Sequence, residues 1–161
     1  MKTILLATDG SPSAQKATDV AIELAGALDA LLRIVSVWNV PVYDYGYVPV
    51  QYAPELDEAQ RDGATHAVEE AAAAAKAAGV RVSSEIHRGA AADEICGAAA
   101  DAEADMIVLG AHGWSAVKRI FFGSVSTAVL HHAACPVLVV RGELEEHERD
   151  AVGAGTVRSA G

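Results

Sequence analysis

The chain has 161 residues, enough for one domain with a sizeable core; 52% of them are hydrophobic and only 5% are aromatic. Its formal net charge of −10 argues against nucleic acid and anionic membranes as partners. No apolar run reaches membrane-spanning length, and the first residues lack the apolar core of a signal peptide, so we expect a cytoplasmic protein.

The first part of the chain has the pattern of a βαβ unit. A short apolar strand is predicted from Thr3 to Thr8, before the turn sequence Asp-Gly-Ser-Pro. Apolar residues at helical spacing predict a helix from Ser13 to Asp29, and a second strand follows from Leu31 to Trp38. Strand, helix and strand over this length indicate two parallel strands with a right-handed crossover.

A long loop is predicted from Asn39 to Pro54. It holds three of the five prolines and all four tyrosines of the chain, Tyr43, Tyr45, Tyr47 and Tyr52. Long loops in compact domains are often functional, so one interpretation is a flap beside a ligand site or a partner surface. The other is a surface loop whose rings pack against the flank of its own domain.

Helices and strands continue to alternate in the rest of the chain. The predicted elements are a helix Glu55–Ala78 closed by Gly79, a strand Val80–His87, a helix Ala91–Ala104, a strand Asp105–Leu109, a helix Ser124–Ala133 and a strand Pro136–Arg141. Five strands with four helices predict the α/β class: a doubly wound, five-stranded parallel sheet with helices on both faces. We expect one domain over residues 1–142 and a poorly ordered acidic tail over 143–161.

The loop between the fourth strand and the fourth helix carries the strongest functional signal. Gly110, Gly113 and Gly123 allow sharp turns and close approach of a ligand to the main chain. Ser124 is predicted to be the helix N-cap, and the hydroxyls of Ser124, Ser126 and Thr127 would join the first-turn N–H groups. Such a helix start suits an anion, phosphate above all, although an ordinary strand-to-helix loop has the same features.

Residues for catalysis or metal binding do not form a recognisable pattern. His112 has no nucleophile, paired carboxylate or second histidine beside it in the sequence, and no Walker lysine follows the glycines. His131 and His132 are adjacent and therefore point to different faces of their helix. Cys96 and Cys135 lack CxxC spacing and are predicted to be small buried residues. We predict no catalytic residue and no metal site.

The spacing Gly110-x2-Gly113-x9-Gly123-Ser124 resembles the nucleotide-binding signature of the universal stress protein family, in its ATP-binding subgroup. The start of the chain, ILLATDGSPSAQKA, is similar to the first strand and turn of that family. The sequence GSVSTAVLHHAACPVLVVR is similar to its last helix and strand, so the resemblance covers roughly residues 2–141. It implies the strand order 3-2-1-4-5, which places a ligand crevice between the first and fourth strands.

The resemblance implies that the ligand is ATP or a related adenine nucleotide, alone or with Mg²⁺. The base would be held by Ala7, Thr8, Asp9 and the main chain of Val37. An alternative for Asp9 is a turn-forming role in Asp-Gly-Ser. The residues implied for ribose and phosphates are Gly110, Ala111, His112, Gly113, Trp114, Ser115, Gly123, Ser124, Val125 and Ser126. Trp114 is large for such a loop, and Lys118 and Arg119 either offset phosphate charge or form a solvated basic pair.

Three functions stay open from the sequence. The first is a nucleotide-binding regulatory or stress-response protein with slow or no hydrolysis. The second is an enzyme, either a weak ATPase or a nucleotidyl- or phosphoryl-transfer enzyme, in which His112 or Asp9 orients water. The third is an interaction module with an empty pocket. The resemblance also implies a homodimer through the last strand, Pro136–Arg141, whose apolar edge is suited to pairing.

Overall fold

The computed structural model describes residues 1–39, 54–113 and 123–141, along which five strands and four helices alternate. The strands are β1 (Thr3–Ala7), β2 (Leu31–Trp38), β3 (Val82–Arg88), β4 (Met106–Gly110) and β5 (Val137–Val140). The helices are α1 (Pro12–Leu28), α2 (Pro54–Ala77), α3 (Ala91–Asp101) and α4 (Ser124–His132). All strand pairs are parallel and the order is β3-β2-β1-β4-β5, which confirms the predicted fold.

The sheet has a hydrophobic core on each of its two faces. Helices α1 and α2 pack on one face, where Ile4 and Leu6 of β1 meet the alanines of both helices. Helices α3 and α4 pack on the other face, against Leu5 and Ala7. Alternate residues of a strand point to opposite faces, so β1 is buried on both sides and reads as a continuous apolar run. Small alanines, rather than aromatic rings, let the helices approach the sheet.

Most predicted boundaries differ from the structure by one residue at most, and two differ by more because the backbone ends each helix in a specific way. Helix α3 ends at Asp101 instead of Ala104, since Glu103 takes a left-handed φ of 46° that a helix cannot contain. Strand β3 begins at Val82 instead of Val80, since Val80 N–H donates to Ala75 O (3.0 Å) and closes α2. Gly79, with φ of 77°, is the left-handed residue predicted after that helix.

None of the helices in the described part of the chain is long and apolar enough to cross a membrane. The predicted tyrosine-rich loop and the predicted acidic tail lie outside the described residues, apart from Asn39 and Pro54 at the ends of the loop. Pro54 belongs to α2, one residue earlier than predicted.

A charged pair joins the two strands that lie furthest toward one edge of the sheet. Arg33 of β2 donates to both carboxylate oxygens of Glu85 of β3, each at 3.0 Å. The hydrogen bond from Arg33 lowers the pKa of Glu85, while partial burial opposes that shift and the nearby His87 adds to it. His87 also contacts Glu94 of α3, with 3.0 Å between Nδ1 and Oε2. This network therefore connects β2, β3 and α3.

Replacing Glu85 by glutamine should weaken the fold at neutral pH and have little effect in acid. The pKa of Glu85 is lowered on folding, so the stabilisation is present above its unfolded pKa and is lost as pH falls through the folded pKa. We expect Glu85→Gln to lower the free energy of unfolding by about 1 kcal/mol or less at pH 7, because the pair is partly exposed. Urea denaturation at pH 7 and near pH 3 measures this. Glu69→Gln, at an exposed acid of α2, is the control. An equal loss at both pH values would contradict the assignment.

Candidate functional site

The turn after β1 and the loop after β4 lie side by side at the carboxyl edge of the sheet. Ser11 Oγ donates to His112 O (3.4 Å) across 101 positions of sequence. A Cβ built on Gly113 would lie only 2.6 Å from Asp9 Oδ2. The structure therefore brings Asp9 and the first two glycines of the loop to one crevice, at the point where the strand order reverses.

The turn after β1 is closed by its own side chains. Asp9 Oδ1 accepts from Ser11 N (3.0 Å), Thr8 Oγ1 accepts from Gly10 N (3.2 Å), and Gly10 has φ of 73°. Ser11 is the N-cap of α1, its Oγ accepting from Ala14 N (3.3 Å). Asp9 therefore has the turn-forming role expected as an alternative, through its Oδ1. Its other oxygen, Oδ2, lies beside the glycine loop.

The end of β2 directs main-chain groups into the same region. Val35 O accepts from Thr8 N (3.0 Å), so the odd-numbered residues of β2 turn their N–H and C=O groups toward β1. Val37 is the next such residue, but the matching amide, Gly10 N, is bonded to Thr8 Oγ1 instead. That amide would have been the donor to the Val37 C=O, and no main-chain hydrogen bond of the Val37 N–H is found among the described residues either.

Gly110 and Ala111 carry the loop close to two other elements. A Cβ on Gly110 would lie 2.8 Å from both Ser13 C and Ser13 Oγ, so the start of α1 packs directly on this glycine. Ala111 is fully buried; its N–H donates to Val140 O (2.8 Å), and its O accepts from Gly123 N (2.8 Å). The loop is thereby tied to α1, to β5 and to the start of α4.

The prediction that Ser124 caps α4 is wrong. The N-cap is Gly123, whose φ of −62° and ψ of 161° are extended, and Ser124 is the first helical residue. Gly123 takes the cap position because its N–H is fixed by Ala111 O, and Thr127 N then donates to Gly123 O (3.0 Å). The first-turn N–H groups of Ser124 and its two successors have no partner within the helix, as in any helix start.

Ser126 has a structural role that the sequence did not indicate. Its buried Oγ lies 3.0 Å from Ala111 O and 2.9 Å from Gly123 O, and both oxygens are acceptors. A hydroxyl has one proton, so this side chain already donates to the loop. Its contribution to an anion would come through its main-chain N–H.

Two further serines support the crevice and were not predicted as site residues. Ser11 and Ser13 flank Pro12 in the first turn, and the hydroxyl of each contacts the main chain of His112; His112 N donates to Ser13 Oγ at 3.5 Å. A Ser-Pro-Ser sequence directly after a strand and turn is the signal that could have drawn attention to them. Their short side chains let the two crossing segments bond to each other.

The remaining predicted site residues have simple placements. Ala7 and Thr8 are buried at the end of β1, and Val125 is an exposed residue of the first turn of α4. Trp114 and Ser115 lie outside the described residues, as do Lys118 and Arg119.

Within residues 1–39, 54–113 and 123–141, no cluster of three or more His, Cys, Asp or Glu could hold a metal ion. Cys96 and Cys135 are free thiols, half-buried instead of buried, and burial raises the pKa of each.

The arrangement places three kinds of group around one crevice: a main-chain donor and acceptor, a carboxylate and a helix start. The sequence profile of the universal stress protein family matches residues 1–141. The chain belongs to the universal stress protein family.

Named relatives support this membership over nearly the whole chain. A universal stress protein of Thermus aquaticus is 40% identical over 141 residues, which cover 87% of this chain and 98% of the relative. Universal stress protein MJ0531 of Methanocaldococcus jannaschii is 33% identical over 146 residues, with 90% and 85% covered.

Solved structures show the same fold. The protein MJ0577 superposes with a TM-score of 0.76 at 26% identity, covering 89% of this chain and 98% of its own. A universal stress protein solved in complex with cAMP superposes with a TM-score of 0.65 at 30% identity, covering 86% and 96%.

Proposed function

We propose that the chain binds ATP or a related adenine nucleotide, alone or with Mg²⁺, and acts as a regulatory, stress-response protein in the cytoplasm with slow or no hydrolysis. The observation that carries the proposal is the pair of main-chain groups on Val37, which face the crevice beside the glycine loop. Adenine offers an N–H donor and ring-nitrogen acceptors along its edge, so one residue's C=O and N–H can read it. Asp9, which has one oxygen beside Gly113, would accept a hydrogen bond from the base or the ribose.

The phosphates would lie toward the start of α4. With a net charge of −10, the protein must supply local positive potential for a nucleotide, and the first turn of a helix does so through its N–H groups and dipole. Gly123 at the N-cap leaves that end without a side chain of its own. Ala111 bonds Gly123 directly, so the glycine loop and the helix start form one continuous surface.

The family supports this reading in one specific case. The universal stress protein in complex with cAMP is 30% identical to this chain, and cAMP is an adenine nucleotide. The proposed donor set supports slow or absent hydrolysis, because main-chain N–H groups and hydroxyls would bind a nucleotide without activating water. The alternative of a weak ATPase or a transfer enzyme would require Asp9 or His112 to orient water.

Removing the glycines of the loop should abolish ATP binding. A Cβ on Gly113 would meet Asp9 Oδ2 at 2.6 Å, and one on Gly123 would meet Ala111 O at 3.2 Å. We expect Gly113→Val and Gly123→Val to lose ATP binding by isothermal titration while circular dichroism shows the wild-type fold. Gly97→Val is the matched control, because a Cβ there meets no atom within 4 Å. Unchanged affinity in both loop variants would disprove the site.

Mass spectrometry of nucleotide released from denatured protein separates nucleotide binding from the alternative of an interaction module with an empty pocket.

ATP hydrolysis should be slow or undetectable. We expect steady-state phosphate release far below about one turnover per second, the lower end of ordinary enzyme rates. His112→Ala is the informative variant, since His112 is the side chain of the loop that could act as a base. Turnover on the order of one per second or faster in the wild type, lost in His112→Ala, would favour the enzyme instead.

We also propose a two-fold symmetric homodimer through the edge of β5. Pro136 O and Val140 O accept from Ile107 N (2.9 Å) and Ala111 N (2.8 Å), so even-numbered residues of this segment face β4. The main-chain groups of Val137 and Val139 therefore face outward from the sheet, along an apolar edge. The family resemblance of this strand supports the same contact.

Val139→Pro should convert the dimer to a monomer. Proline removes the N–H of Val139, which faces away from β4 because Pro136 O and Val140 O are the groups bonded to that side, so the fold should persist. Light scattering at micromolar concentration measures the mass, and Val139→Thr, which keeps the N–H and a β-branched side chain, is the control. A monomeric wild type would refute the dimer. A dimeric Val139→Pro variant would show that another surface makes the contact.

A further inference from the structure

The indole of Trp38 is bonded to the first turn of α2. Its Nε1–H donates to Asp57 Oδ1 at 3.2 Å, across 19 positions of sequence. Trp38 directly follows Val37, and its side chain lies on the face of the sheet that α2 covers. The side chain of Asp57 is only 17% exposed, unlike the exposed Glu55 and Glu58 on either side of it. The contact therefore joins the carboxyl end of β2, where we propose that the adenine base binds, to a largely buried carboxylate.

The same carboxylate is joined to β3. Arg88 is the register partner of Trp38, and its Nη2 lies 3.5 Å from Asp57 Oδ2. Gly89 N also donates to Trp38 O (3.1 Å). Asp57 thus bridges the carboxyl ends of two neighbouring strands through its two oxygens.

The end of β2 depends on these contacts because its other side has no strand. Beyond Val35 the β1 ladder stops, and the main-chain groups of Val37 have no main-chain partner among the described residues. The side chain of Val37 packs against the core on the other face of the sheet, and on the α2 face the strand end is held by its pairing with β3 and by the bond from Trp38 to Asp57. A strand end paired on one side frays more easily than one paired on both.

We propose that Asp57 is a positioning residue for adenine recognition: it holds Trp38, and through it the main chain of Val37, at the place where the base edge is read. The inference rests on the proposed function. Asp57 acts on the base end alone, because the phosphate end is built from the glycine loop and α4. Losing its hydrogen bond should therefore weaken binding of adenine nucleotides more than binding of nucleotides with another base.

A simpler role for Asp57 is an acid that stabilises the first turn of α2 through the helix dipole. Glu55 lies in the same turn and could act likewise. That role predicts a change in the stability of α2, with equal effects on every nucleotide. The ratio of ATP affinity to GTP affinity separates the two roles.

The experiment measures displacement of a ribose-labelled fluorescent ATP analogue by ATP and by GTP, up to millimolar concentration, in purified full-length protein. The variants are Asp57→Ala, Asp57→Asn and Trp38→Phe, with Glu58→Ala as the control acid. Asparagine keeps an oxygen acceptor for the indole N–H and removes the charge facing Arg88. Phenylalanine keeps an apolar ring and removes the donor. Amide hydrogen exchange at Val37 and Trp38 without nucleotide reports whether the strand end has loosened.

We expect Asp57→Ala and Trp38→Phe to weaken ATP binding about fivefold, the factor for one hydrogen bond of ~1 kcal/mol, with GTP unchanged. Asp57→Asn should stay within about twofold of the wild type, because the Arg88 side chain is 53% exposed and an ion pair with a solvated partner contributes little. Glu58→Ala should also stay within about twofold, because Glu58 is exposed. Faster exchange at Val37 should accompany the weaker variants. Equal losses for ATP and GTP, no loss, or an Asp57→Asn variant as weak as Asp57→Ala would each overturn the inference. A wild type that fails to bind the ATP analogue would instead disprove the proposed function.

Discussion

The site depends on where the central strand stops pairing. Strand β1 lies between β2 and β4, and its ladder ends at Thr8 because Asp9 and Thr8 use their side chains to close a tight turn. A central strand that leaves its sheet removes a partner from both neighbours at once. On one side this leaves the main chain of Val37 facing the gap. On the other side it leaves room for the loop after β4 to cross beside the turn.

Small residues keep that gap narrow and well defined. Gly110 packs against the backbone of α1 with no space for a side chain, and fully buried Ala111 is bonded to both β5 and Gly123. The hydroxyl of Ser126 then fixes the helix start to the same alanine. Helix α1, strand β5 and the start of α4 are distant in sequence, and all three are bonded to the short segment that follows β4. The geometry of this segment therefore comes from hydrogen bonds and close backbone contacts, and not from a large side chain that fills a cavity.

The sequence predicted the elements better than the contacts between them. Buried apolar runs and helical spacing located the five strands and four helices of the described residues, because those periodicities reflect burial directly. The strand order, the crevice and the choice of Val37 came from a family resemblance. Main-chain recognition leaves no side-chain signature, so composition and spacing could not have shown Val37. Serine is a common N-cap, so the sequence predicts Ser124 at that position. The extended residue is instead Gly123, fixed by a bond to Ala111 that only the fold reveals.

Contacts between side chains far apart in the chain were the least predictable part. The bond from Trp38 to Asp57 links residues on either side of the long tyrosine-rich loop, and the pair of Arg33 with Glu85 spans 52 positions. Sequence analysis assigns these four residues to predicted strands and a predicted helix and indicates no partner for any of them. Once the sheet is formed, register and the cover provided by α2 bring Asp57 to Trp38 and Arg88. A recognition surface made of main-chain groups gains from such support, since the peptide groups of Val37 lack the hydrogen bonds to β1 that hold the earlier residues of β2.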